Sequence, residues 1–104
     1  FSESSYYQGL SWRKLGEAEK ARQAFEDLIR FARESLEKRQ TMDYFAKFGM
    51  RESALRREAY YHYLLGLGFR GMGRQGEAAA EFQKAIGLQP YYFPAHRQLA
   101  AFGQ

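Results

Sequence analysis

His62 and His96 are the side chains of this chain best suited to bind a metal or carry a proton near neutral pH. They stand far apart in sequence and no cysteine can join them, so the spacing of a zinc site is missing. Ser2, Ser4 and Ser5 precede the first apolar run and suit helix capping, with no neighbouring base to activate a hydroxyl. Half of the carboxylates lie four residues from a lysine or arginine, as Glu26 does from Arg30, Glu34 from Lys38 and Glu52 from Arg56. That is the spacing of solvated helix pairs. Gly66, Gly68, Gly71 and Gly73 form no phosphate loop, because the Lys-Ser/Thr ending is absent. No catalytic constellation emerges, and the expectation is a chain that is not an enzyme and uses no cofactor or metal.

The elements that carry these residues must be helices. Ile29, Ile86 and Thr41 are the chain's only β-branched residues, against 14 alanines and 10 leucines. Straight-chain residues keep most of their freedom in a helix, whereas strands favour β-branched ones. A length of 104 residues fits one domain, and the hydrophobic share of 45% is enough for a core. The longest uncharged run, Ala85 to His96, falls well short of the roughly 20 residues needed to span a membrane. The chain opens on Phe1 rather than Met and is read as a fragment of a larger protein. Its compartment is unknown, since a chain without cysteine says nothing about redox environment.

An internal repeat organises the chain. Shifted by 57 residues, Tyr6, Gly9, Leu10, Arg13, Gly16, Ala21, Phe25 and Ile29 fall on Tyr63, Gly66, Leu67, Arg70, Gly73, Ala78, Phe82 and Ile86. Trp12 pairs conservatively with Phe69, and Leu15 with Met72. Each unit reads as helix, tight turn, helix, with Gly16 and Gly73 at the turns. Ala21, Phe25, Leu28 and Ala32, and later Ala78, Phe82 and Ala85, fall at three- and four-residue steps and give each second helix one apolar face.

Leu65, Gly66, Phe69, Gly73, Ala78, Phe82, Ala85 and Pro90 resemble the tetratricopeptide repeat: an apolar residue and Gly, an aromatic, a turn Gly, Ala-x3-Phe-x2-Ala, then Pro. Gly9, Trp12, Gly16, Ala21 and Phe25 fill the same pattern in the first unit, which departs from it at Leu28 and lacks the closing Pro. Shifting by 34 places His62, Leu65 and Gly66 on His96, Leu99 and Ala100, a third, partial unit after Pro90 and Pro94. The separation of 57 exceeds the family's period of roughly 34 by 23 residues. Those extra residues lie roughly between Ala32 and Leu55.

The expected organisation is all-α, a solenoid fragment of about five main helices and one short linking helix. Repeat one covers about 2–40, a linking segment with Tyr44, Phe45 and Phe48 about 41–50, repeat two about 51–89, and a capping helix about 91–102. Asp43-Tyr44-Phe45-Ala46 with a long following helix is similar to tetratricopeptide segments of some large bacterial proteins.

The resemblance implies a protein-binding or scaffolding module whose first helices line a groove for a peptide or a neighbouring domain. It places the two histidines at slots that usually hold a packing aromatic. The core-facing residues would be Gly9, Trp12, Leu65, Gly66 and Phe69. The groove stripe would be Tyr6, Leu10, Arg13, Tyr63, Leu67, Arg70 and Arg97, extended by Ala101, and suited to an acidic or aromatic peptide. Leu10 and Leu67 have a second reading, as packing against an adjacent helix. Phe1, Tyr7 and Phe102 are candidate stacking or dimer contacts at the repeat ends. RNA binding is the rival suggested by a net charge of +4. Against it, the first 50 residues hold nine bases and eight acids, and Arg51, Arg56 and Arg57 are the only basic cluster. A structural spacer is the third reading. Attachment to a membrane surface is not expected, because no helix has a purely basic polar face.

Overall fold

A computed structural model describes residues 1–42 and 51–102 of the chain. Among them are five helices and no strand: α1 (Glu3–Lys14), α2 (Ala18–Met42), α3 (Arg51–Gly71), α4 (Gln75–Leu88) and α5 (Phe93–Phe102). The all-α expectation holds. The anticipated linking helix falls mostly on residues 43–50, which lie outside the described residues. At 25 and 21 residues, α2 and α3 are the lengthened pair, and they stretch the molecule to 49 × 27 × 19 Å. α1 packs on α2, α2 on α3, α3 on α4 and α4 on α5, while α1 also touches α3.

Local chemistry sets the boundaries. Ser2 caps α1: its hydroxyl accepts the Ser4 N–H at 3.2 Å, and its own N–H donates to the Ser5 hydroxyl at 3.1 Å. Both hairpin turns close on a glycine in the left-handed region, Gly16 at φ 80° and Gly73 at φ 79°. Gly16 N–H donates to the Arg13 carbonyl at 3.1 Å and Glu17 N–H to the Trp12 carbonyl at 2.9 Å. In the second unit Gly73 donates to Arg70 at 3.1 Å and Arg74 to Phe69 at 2.9 Å. Two such bonds satisfy carbonyls that a helix end would otherwise leave open. The repeat seen in the sequence is thus a repeat of backbone hydrogen bonds.

The core repeats as well. The Tyr6 and Phe25 rings lie 5.9 Å apart at 47°, and those of Tyr63 and Phe82 lie 5.9 Å apart at 46°. Each phenylalanine sits on a glycine of the preceding helix, Phe25 on Gly9 and Phe82 on Gly66, where any Cβ would strike the ring. Each Phe thus fills the space a glycine leaves on the neighbouring helix, and its full burial stabilises by about 1.5–3 kcal/mol. Phe25 has a second glycine against it, Gly71 at the end of α3, and this holds the two units together.

Charged pairs settle locally. Glu26 bonds Arg22 at 3.2 Å rather than the Arg30 expected, and Arg30 faces Asp27 at 3.4 Å. These are partly or fully exposed pairs, worth a few tenths of a kcal/mol.

Candidate interaction surface

The expected groove stripe is drawn together, but mostly as interior. Tyr6, Tyr63 and Leu67 are buried, Leu67 completely, and Leu10 is half-buried against the same core. They cannot line an open groove. The reason is that α1 and α3 touch directly, and Tyr92, just ahead of α5, closes edge-on over Tyr63 at 5.5 Å. The Tyr63 hydroxyl donates to Glu3 at 2.8 Å, tying α3 to the start of α1. Burial, together with that bond, pushes the Tyr63 phenol well above its ordinary pKa. Burial likewise pushes Tyr92 up to about 12.

The arginines of the stripe act as staples. The Arg13 guanidinium lies 5.1 Å from the Phe25 ring centre and donates to the Gly71 carbonyl. Arg70 likewise lies over a ring, 4.9 Å from the Phe102 centre, and donates to the Gln98 side-chain oxygen, although Phe102 and Gln98 are not the repeat equivalents of Phe25 and Gly71. A cation over an aromatic face adds about 0.5–1 kcal/mol at a wet site. Arg97 is exposed, as Arg13 is over much of its length. Phe102 is no free end contact, since its ring also lies 5.9 Å from Phe82.

Trp12 is the second correction. Expected in the core, it is 37% exposed, whereas its repeat partner Phe69 is only 3% exposed. α1 is apolar on two sides: Tyr6 and Gly9 face inward, while Tyr7, Trp12 and Leu15 stay exposed on the opposite side. With Ser4, Gln8 and Ser11 these three line an open groove of about 550 Å³. The Trp12 ring forms its margin towards α2, where the Lys20 ammonium sits 4.6 Å from the ring centre. Beyond it a smaller cleft of about 310 Å³ runs between α1 and α2, sharing Gln8 and Trp12 and reaching Phe1. Phe1 is exposed but stacks on Phe31 of α2 at 5.4 Å. The sequence carried a partial signal for this surface: position 69 belongs to a helix that follows another one, and among the described residues no helix precedes α1 to cover position 12 in the same way.

The histidines part ways. His62 Nδ1 lies 2.6 Å from Glu81 Oε2, a largely buried pair that bridges α3 and α4. Lys84 adds a contact to the other Glu81 oxygen at 3.1 Å. Burial would raise the Glu81 pKa, but the bonds from His62 and Lys84 outweigh it and the net shift is downward. His96, expected to be a packing residue, is exposed, with Nε2 at 2.7 Å from the Pro90 carbonyl. Among the described residues no three His, Asp or Glu side chains converge as a metal site, and no helix is long and apolar enough to cross a membrane.

Comparison of the chain with protein-family models, curated proteins and solved structures gives no match.

Proposed function

We propose that the chain is a non-catalytic protein-interaction module built from tetratricopeptide-like helical hairpins, and that it docks a partner protein on the outward face of α1. One observation carries this: Tyr7, Trp12 and Leu15 stand exposed together along an open groove on a helix whose other side is core. Clustered apolar exposure of this kind marks interaction sites, and Trp and Tyr dominate binding energy where they occur. The duplicated hairpins supply a rigid support for that face. Docking moves accordingly from the Tyr6-to-Arg97 stripe, whose aromatic and aliphatic members are packed inside, to the opposite side of α1.

The test is site-specific photo-crosslinking from a benzophenone side chain at position 8, on the groove floor. A discrete protein adduct, insensitive to ribonuclease and lost in Tyr7→Lys, is the expected result. An adduct that ribonuclease destroys, or one unchanged by Tyr7→Lys, overturns the proposal.

A further inference from the structure

The groove on α1 has a counterpart inside the molecule that shows what fits it. Its six lining residues, Ser4, Tyr7, Gln8, Ser11, Trp12 and Leu15, stand 57 positions before Tyr61, Leu64, Leu65, Gly68, Phe69 and Met72 of α3. Along that face Tyr61, Gly68 and Phe69 meet α2. Phe31 meets Tyr61 edge-on at 6.2 Å, Ile29 lies against Gly68, and the Arg33 guanidinium covers Phe69 at 5.4 Å. As α2 advances from Phe25 to Phe31 it meets Gly71, then Gly68, then Tyr61, so it runs antiparallel to α3.

Resting on the module proposal above, we infer that the α1 groove binds one amphipathic helix of a partner protein, antiparallel to α1, with small residues where α2 presents Phe25 and Ile29. The small residues follow from two replacements. Ser11 and Lys14 stand where α3 has Gly68 and Gly71. A Cβ at Gly68 would come within 2.5 Å of Ile29, and one at Gly71 would strike the Phe25 ring. α1 has those Cβ atoms, so the bound helix must offer alanine or glycine there. Charge sets its polarity further. The incoming N-terminal half lies beside Lys14 and Lys20, so acidic residues in its first turns meet basic side chains and suit its own helix dipole. Ser4 and Gln8 replace Tyr61 and Leu65, which makes this face more polar than its internal counterpart and suits a contact that forms and dissociates.

Neither α2 nor α4 of a second copy provides this helix. The matching apolar stripes of α2 and α4 are already covered, with Phe25 and Phe82 at 1% and 0% exposure. Both also carry the bulky Phe and Ile that Ser11 and Lys14 exclude.

The experiment uses two synthetic peptides of residues 18–38, one with the native α2 sequence and one with Phe25→Ala and Ile29→Ala. Trp12 is the only tryptophan and neither peptide contains one, so its emission reads docking directly. The small-residue peptide should give a saturable blue shift and protect Trp12 from acrylamide. The native peptide should bind about tenfold more weakly, because overpacking a fixed surface is costly. Tyr7→Lys and Leu15→Lys, both at exposed positions, should each abolish the shift with far-UV circular dichroism unchanged. No saturable change, equal binding of the two peptides, or indifference to both variants overturns the inference. Sedimentation showing self-association that buries Trp12 without peptide would assign the groove to a second copy and overturn it too. If the peptides fail while crosslinking from position 8 still yields its protein adduct, the helix chemistry falls and the module proposal stands.

Discussion

Replacing Gly66 with alanine sets two opposing effects against each other at one atom. Within a helix, alanine is favoured over glycine by roughly 1 kcal/mol. The new methyl, however, would sit 2.5 Å from Phe82 Cε1, 2.7 Å from Cδ1 and 3.0 Å from Cζ. Carbon atoms rest at about 3.5–4.0 Å, so the ring must retreat by about 1 Å. It has nowhere to go: Phe82 is fully buried, with Tyr63 and Phe102 each 5.9 Å from its centre. Overpacking of a filled core costs about 1–3 kcal/mol, and a ring blocked on several sides belongs in the upper half. The net expectation is a loss of about 1–2 kcal/mol, or roughly 5–15 °C in Tm for a domain of this size. Gly76→Ala and Gly87→Ala are the controls, since both lie in α4 with nothing within 4 Å of the added carbon. They should gain a few tenths to about 1 kcal/mol. Thermal and urea unfolding followed by far-UV circular dichroism measure all three. A Gly66→Ala protein as stable as the parent would refute the claim that glycine is there to receive the ring.

Gly73→Ala should lose about 1–2 kcal/mol for a different reason, because an L-residue at φ 79° crowds its own carbonyl. Gly16→Ala should match it, and the urea midpoints of the two variants should agree if the turns are true equivalents. Glu81→Gln should cost most near neutral pH. The folded pKa of Glu81 lies below its ordinary 4.5, so its contribution is complete above about that pH and fades as pH falls through the folded value. The stability gap between parent and variant should therefore narrow in acid, and a gap that stays constant from neutral pH to pH 3 would contradict the His62 and Lys84 bonding. Arg70→Met should free α5 without unfolding the rest, raising amide hydrogen exchange across Ala95 to Phe102 several-fold while α2 and α3 keep their protection.

The turns and the pairing of Phe25 with Phe82 were legible because each is local or duplicated. Gly16 and Gly73 announce a left-handed residue, and the 57-residue shift pairs every atom set that later proves equivalent. The candidate site was legible only in part. The repeat and the resemblance built on it singled out Tyr6, Leu10 and Arg13 of α1, but neither has information on which side a neighbour will cover. Tyr63 went inside because Glu3 and Tyr92 reach it from α1 and the approach to α5. Trp12 stayed outside because no described helix lies over it. The bond between His62 and Glu81 joins residues 19 apart on different helices and leaves no local trace.

By itself the sequence determined the helices, their glycine turns and their pairing into two equivalent units, since propensity, capping and spacing are properties of short stretches of chain. Only the tertiary structure decided which apolar face is core and which is surface. That choice depends on which helix lies next to which, and in this chain the same pattern is covered on α3 and left open on α1.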